Sequence, residues 1–172
     1  MNCVVCNKKK SDFFLSYLKK HVCYKCLTRM NYRRFKNEIR DKIENIGEFE
    51  IIDKGDACSA LCVYFFKKLF PNSKVILGKS GLSCESLDDL CESMLTVFFK
   101  GEKIEKSDKL KPMIGILIKE AEAICDYLKL EYKKSKPSDI KQVIYDVEKT
   151  RPGTMFSMGN LYKTISEQLY RN

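Results

Sequence analysis

The chain has 172 residues, of which 44% are hydrophobic, and a formal net charge of +9. This length can bury the core of one domain of typical size plus a small appendage. No stretch approaches the roughly 18 consecutive apolar residues of a membrane span, and the N-terminus lacks the apolar segment of a signal peptide. Nine cysteines without a secretory signal indicate a reducing compartment. We therefore expect a cytoplasmic protein that has no membrane partner.

The first 26 residues contain two Cys-x-x-Cys pairs separated by sixteen residues. This spacing is typical of four thiolates that hold one tetrahedral zinc ion in a closed, structural site. The alternatives are two disulfides or four unrelated core cysteines. We interpret His21, beside the second pair, as a surface histidine because four sulfurs already complete the shell. The predicted zinc ligands are Cys3, Cys6, Cys23 and Cys26.

The positive charge is concentrated at the N-terminal end. Residues 1–42 contain 12 lysines and arginines against three acidic residues, whereas the other 130 residues contain 20 of each sign. A localised positive field is the electrostatic footprint of a protein that binds a phosphate backbone. A lysine-rich surface that is merely solvated is the alternative, and the concentration in one segment favours binding.

A helix is predicted after Cys26, because no Gly or Pro occurs before Gly47 and the apolar residues have near-helical spacing. Four basic side chains on this helix fall within about 60° of one another at 3.6 residues per turn. We call them the basic stripe: Arg29, Arg33, Lys36 and Arg40. Residues 1–46 are predicted to form a zinc-binding module that includes this helix, and residues 47–172 a compact α/β domain.

Short strands and helices alternate in the second part of the chain, around a charged linker at residues 100–111. Repeated β-α units predict an α/β fold with a doubly wound, mostly parallel sheet. The predicted strands are Phe49–Ile52, Lys74–Gly78, Leu95–Phe99 and Leu128–Tyr132. The predicted helices are Ala57–Leu69, one that is opened by Ser86 and continues to about Met94, Pro112 to about Tyr127, Asp139–Thr150 with Ser138 as its cap, and Leu161–Leu169.

The loop after the first of these strands occupies the usual position of a phosphate cradle. A cradle needs small residues so that backbone N–H groups can approach an anion, and only Gly55 clearly meets this need. Asp56 places a negative charge where phosphate would lie. We therefore expect a poor ATP site, in a loop that includes Lys54, Gly55, Cys58 and Ser59.

The order of these features resembles the cytoplasmic tRNA 2-thiolation proteins, which are PP-loop relatives with an adenine nucleotide alpha hydrolase-like fold. The second cysteine pair with Leu27, and the Arg33–Lys36 run around Phe35, are similar to that family's motifs. Its catalytic members carry Ser-Gly-Gly-Lys-Asp-Ser as the ATP-binding loop. Residues 54–59 keep two of these constant positions, Gly55 and Ser59. The chain is most similar to the family's non-catalytic second subunit.

The resemblance implies a non-catalytic, tRNA-binding subunit of a complex that 2-thiolates the wobble uridine of cytoplasmic tRNA. Arg34 and the basic stripe would contact tRNA phosphates. The implied partners are a catalytic PP-loop subunit, in a hetero-oligomer, and a ubiquitin-like sulfur carrier. Two alternatives stay open at this point. One is an ATP-dependent tRNA sulfurtransferase in which Cys58 or Cys84 carries sulfur, and the other is a zinc-ribbon protein that binds nucleic acid without a thiolation partner.

Overall fold

The computed structural model describes residues 1–40, 42–43, 47–101 and 110–169. The architecture is mixed α/β, with six helices and two small sheets in this part of the chain. The strands are β1 (Phe13–Leu15), β2 (Lys20–Val22), β3 (Glu48–Ile52) and β4 (Lys74–Gly78). The helices are α1 (Tyr24–Ile39), α2 (Ala57–Leu69), α3 (Leu87–Lys100), α4 (Ile118–Leu128), α5 (Asp139–Thr150) and α6 (Thr154–Leu169).

The N-terminal residues form an antiparallel hairpin that leads directly into α1. Strands β1 and β2 pair in the register Phe13–Val22, Phe14–His21 and Leu15–Lys20. A single 3-10 turn at Ser16–Leu18 connects them, and Lys19 closes it with a positive φ of 51°. Because β2 ends at Val22 and α1 begins at Tyr24, the second cysteine pair lies at the start of the helix.

One β-α-β unit provides the parallel part of the structure. Strands β3 and β4 pair in parallel through the α2 crossover, from Glu48–Lys74 to Ile52–Gly78. Leu82 returns to the other edge of β3, where it exchanges backbone hydrogen bonds with Glu50 and Ile52. Gly81 permits this approach, because it has a φ of +98° and a Cβ there would collide with the Glu50 carbonyl. The sequence predicted β3, α2 and β4 correctly.

The third predicted strand is wrong. Residues 95–99 continue α3, which begins with a capping box between Ser86 and Asp89 and ends at Gly101 in the left-handed conformation. The aromatic and β-branched residues favoured a strand locally. However, nothing between the two caps breaks the helix, so the helical hydrogen bonds continue to Lys100. The cost is that Phe98 and Phe99 remain 77% and 70% exposed.

The fourth predicted strand is also wrong. Lys129 ends α4 in a left-handed conformation (φ 57°), and residues 130–138 form no ladder with the rest of the described chain. These residues are irregular, and their backbone N–H groups donate from Leu130 to the Cys125 carbonyl and from Lys133 to the Gly55 carbonyl. The predicted helix start at Pro112 is wrong too, because residues 112–115 form turns and α4 begins at Ile118.

Without the third and fourth predicted strands, the predicted doubly wound sheet is reduced to a two-stranded parallel sheet with one bridging residue, as far as the described residues show. Helix α5 has the predicted bounds, with Ser138 as its cap. Helix α6 begins seven residues before the predicted Leu161. Most of the predicted charged linker lies outside the described residues. None of the described helices combines the length and the apolar character that crossing a bilayer requires.

The described residues bury two apolar clusters. The larger one joins the cysteine pairs and α1 to α2, β3 and α4, and Phe35 packs against Phe65 and Phe66 at centroid distances of 5.3 and 5.0 Å. The smaller one joins α3, α5 and α6 around Leu90 and Met155. The larger cluster continues across the predicted boundary at residue 46. Helix α1 is therefore held by the core that also holds α2.

Candidate metal centre and basic surface

The two cysteine pairs lie together in the folded chain. The four sulfur atoms are all within 4.8 Å of one another, and the sulfurs of Cys6 and Cys23 are 3.9 Å apart. All nine cysteines of the chain are free thiols, so none of these four forms a disulfide. Four convergent thiols, three of them buried, could hold a metal ion. His21 is not part of this group.

Local backbone geometry turns each pair inward. In the first pair, Asn7 adopts a positive φ of 54° and its N–H donates to the Cys3 carbonyl. In the second pair, Cys23 immediately precedes α1, and its carbonyl accepts from the N–H groups of Cys26 and Leu27. The N–H of Val4 donates to the His21 carbonyl, which joins the first pair to β2. Hydrogen bonds of the chain therefore hold both pairs with their sulfurs facing one another.

The environment of the four thiols favours a cation between them. Burial raises the pKa of Cys3, but backbone hydrogen bonds from Cys23, Cys6 and Val5 outweigh it and lower that pKa to about 6. Burial, followed by the neighbouring thiols, raises the pKa of Cys26 to about 12. Four thiolates at this spacing repel one another, and a divalent cation removes that cost by coordinating all of them.

The basic stripe lies on the solvent side of α1. All four of its side chains are exposed, whereas Leu27, Phe35 and Ile39 face the core. None of the four forms an ion pair with an acidic side chain in residues 1–40, 42–43, 47–101 or 110–169. Lys25, four residues before Arg29, is also exposed and extends the stripe towards the hairpin. Sequence reasoning missed Lys25, although its i−4 spacing was a sufficient signal.

Arg34, which the sequence analysis grouped with the stripe, lies in a different environment. Its guanidinium donates to Glu120 at 2.8 Å and to the Tyr17 hydroxyl at 2.6 Å, and that hydroxyl donates to Glu120 at 2.7 Å. The aromatic ring of Phe156 lies 5.0 Å from the guanidinium carbon. The Arg34 side chain is 24% exposed and that of Glu120 is fully buried. Arg34 thus has a structural partner, and no pattern in the sequence identified Glu120.

Three backbone donors of the predicted nucleotide loop have partners within the loop itself. The N–H of Gly55 donates to the Asp53 carboxylate at 2.7 Å, and the N–H of Ser59 donates to the Asp56 carboxylate at 2.8 Å. The N–H of Lys54 donates to the Ser59 hydroxyl at 3.1 Å. A phosphate cradle needs such donors free, and here the chain's own oxygens take their place. The adjoining cavity measures about 240 Å³ and is lined by both aspartates.

The thiols beside this loop are buried. Cys58 lies in the first turn of α2, and burial together with the charge of Asp56 raises its pKa well above the ordinary value. Cys84 is fully buried as well. A nucleophilic or sulfur-carrying cysteine needs a lowered pKa and access to its substrate. The environment of Cys58 provides the opposite of both, and Cys84 has no access.

A larger cavity of about 480 Å³ lies between α3, α4 and α5. Its most buried polar side chain is Asp88, whose pKa burial raises to about 6. The Asp88 carboxylate accepts from the Ile118 N–H at 2.8 Å, at the start of α4. Because this carboxylate caps a helix, we interpret it as structural.

Comparison with known proteins identifies a related fold. No family model and no curated protein sequence matches the chain. Among solved structures, it is similar to the U34-tRNA thiolase NcsA from Methanococcus maripaludis, determined with its [4Fe-4S] cluster. The TM-score is 0.78 at 15% sequence identity, and the match covers 97% of this chain and 87% of the thiolase chain. This likeness establishes a shared fold.

The pair Arg33 and Arg34 provides a matched test of the structural role of Arg34. Replacing Arg34 with Ala leaves the buried Glu120 carboxylate without its cation, so we expect a loss of about 3 kcal/mol of unfolding free energy. Arg33→Ala removes an exposed side chain and should change it by less than about 0.5 kcal/mol. Urea denaturation at a fixed zinc concentration measures both. Equal effects of the two substitutions would contradict the buried network.

Proposed function

We propose that this protein is a non-catalytic, tRNA-binding subunit of a complex that 2-thiolates the wobble uridine of cytoplasmic tRNAs. The observation that carries the proposal is the fold shared with a U34-tRNA thiolase over nearly the whole chain. Three backbone donors of the loop at Asp53–Ser59 are occupied by oxygens of the same loop, and the basic stripe is exposed. Both observations support separate roles for this chain and for a catalytic partner. This chain holds the RNA, and a partner performs the chemistry.

The RNA-binding part of the proposal rests on electrostatics. The stripe is exposed on one side of a helix that the core holds in place, and the N-terminal segment contains the whole excess of positive charge. Phosphate contacts from such a surface position an RNA without reading its sequence. Arg34 is omitted from the proposed contact set because Glu120 and Tyr17 occupy its guanidinium.

The non-catalytic part rests on the loop. An ATP phosphate entering it would have to displace the Asp53 and Asp56 carboxylates from the N–H groups of Gly55 and Ser59. It would also meet two negative charges at close range. Activation of the uridine therefore requires a catalytic PP-loop subunit, bound through the α/β part of this chain. That subunit would receive its sulfur from a ubiquitin-like carrier.

The metal in this proposal is zinc. Four sulfurs around one tetrahedral zinc ion, with Zn–S bonds of about 2.3 Å, lie about 3.8 Å apart. The sulfurs of Cys6 and Cys23 are 3.9 Å apart, and no pair in the group exceeds 4.8 Å. A [4Fe–4S] cluster spreads its cysteines over four separate irons, which places the sulfurs further apart. The spacing supports a single ion with a structural role.

Reversing charge on the stripe tests RNA binding. The double substitution Arg29→Glu with Arg33→Glu should weaken tRNA binding strongly. It should also reduce the magnitude of the slope of the logarithm of the tRNA association constant against the logarithm of salt concentration by about 2, because two phosphate contacts are lost. The matched control is Lys67→Glu with Lys134→Glu, which makes the same charge change at two exposed lysines elsewhere. Filter binding across a salt series measures both. Equal losses would show a response to net charge alone.

Nucleotide binding separates the proposal from the sulfurtransferase alternative. Calorimetric titration of the purified chain with Mg-ATP should give no saturable heat, because three of the loop's donors are occupied and two of its carboxylates would repel phosphate. Replacing Cys58 with Ala should leave tRNA thiolation unchanged in a complex reconstituted with a PP-loop subunit. Tight, magnesium-dependent ATP binding, or loss of thiolation on replacing Cys58, would support the enzyme instead.

Metal analysis tests the cysteine group. The protein should contain one zinc ion per chain and be colourless, whereas an iron–sulfur cluster would give visible absorption and iron. Cys23→Ser should lose the metal and destabilise the start of α1. Cys91→Ala removes a buried thiol outside the group and should retain one equivalent. Retention of full metal content by Cys23→Ser would contradict the assignment.

A further inference from the structure

The β1–β2 hairpin carries an aromatic pair that neither the metal group nor the core uses. Phe14 and His21 are cross-strand partners, and their ring centroids lie 4.7 Å apart. Phe14 is 48% exposed, although it belongs to the residue types most often buried. On the other face of the hairpin, Leu15 and Val22 are fully buried. One face of the hairpin therefore packs against the core, and the aromatic pair lies on the other face.

The backbone holds this pair in a fixed position. Two backbone hydrogen bonds add to those of the β1–β2 ladder. The N–H of Val4, in the first cysteine pair, donates to the His21 carbonyl, and the N–H of Asp12 donates to the Val22 carbonyl. The cysteine group adjoins the hairpin along the chain, because Cys23 follows Val22. An exposed aromatic ring on a hairpin anchored in this way pays little further entropy when it stacks against a flat ligand.

The charge of the N-terminal segment that contains the pair favours a polyanion. Residues 1–26 contain six lysines and one acidic residue, Asp12. Five of those lysines are exposed, in the hairpin and in the segment after the first cysteine pair: Lys8, Lys9, Lys10, Lys19 and Lys20. The sixth, Lys25, begins the basic surface of α1 four residues after His21. Exposed aromatic rings beside a track of cations are the combination that binds single-stranded nucleic acid, since bases stack and phosphates pair with the cations.

We propose that Phe14, supported by His21, is a stacking platform for an unpaired nucleobase of the bound RNA. This inference rests on the proposed RNA-binding function and adds a preference that phosphate contacts cannot provide. A duplex buries its bases in the stack and offers this platform only backbone, whereas a loop or single strand offers a free base face. The stripe supplies affinity for any RNA, and the platform selects unpaired nucleotides.

A tryptophan reporter tests the platform directly, because the chain contains no tryptophan. In Phe14→Trp, the single indole should be quenched on titration with a single-stranded uridine-rich oligonucleotide. It should not be quenched by a blunt RNA duplex of equal phosphate content, nor by heparin. Quenching by the duplex or by heparin to the same extent would overturn the proposal, as would no quenching at saturation with the oligonucleotide.

Affinity measurements on the phenylalanine provide the second test. Phe14→Ala should weaken binding of the single strand about tenfold and leave duplex binding within about twofold. The control Leu18→Ala removes a similarly exposed apolar side chain from the same hairpin and should change neither. Zinc content verifies that each variant retains its fold. Unchanged single-strand affinity in Phe14→Ala would overturn the platform.

The two proposals fail in distinguishable ways. If the stripe reversal abolishes tRNA binding and Phe14→Ala does not change strand preference, the RNA-binding function stands and the platform falls. If the unsubstituted protein binds neither tRNA nor the oligonucleotide at low salt, both fall together.

Discussion

The buried contact between Arg34 and Glu120 determines which side of α1 faces the core. A fully buried carboxylate needs a cation, and α1 supplies it through a side chain that Tyr17 and Phe156 also contact. Successive residues on a helix are separated by 100°, so fixing Arg34 inward fixes the rotation of the whole helix. The basic stripe must then face solvent, and Phe35 must face the aromatic residues of α2. One ion pair thereby couples the core of the protein to the orientation of its charged surface.

Much of this arrangement could be predicted from local sequence. The cysteine spacing indicated that four sulfurs converge, and the caps at Ser86 and Ser138 marked helix starts that the structure contains. The failures came where local preference and longer-range hydrogen bonding disagree. Residues 95–99 have strand-forming side chains but lie between a capping box and a C-terminal glycine, so the helix continues. Residues 128–132 alternate as a strand would, but within the described part of the chain they pair with no strand.

The site was predictable to a similar extent and for similar reasons. The sequence predicted a poor phosphate loop because Asp56 is acidic, but it could not show that Asp53 and Asp56 each accept a backbone N–H of that loop. It grouped Arg34 with its basic neighbours, because helical spacing is compatible with either an exposed or a buried side chain at that position. The partner that makes Arg34 structural, Glu120, lies 86 residues away in the sequence. Phe14 was invisible as a site residue, since exposure of an aromatic side chain is known only after the opposite face of its strand is seen to be buried.

Cys23 has two positions at once, as a member of the cysteine group and as the residue that precedes α1 and accepts its first hydrogen bonds. Occupancy of the metal group and order in the first turn of the helix are consequently linked. In the proposed function, thermodynamic reciprocity requires that an RNA bound along that helix raise the affinity for the metal by the same factor by which the metal raises the affinity for RNA. On that proposal, chains that hold RNA would be the last to release their zinc ion when zinc is scarce.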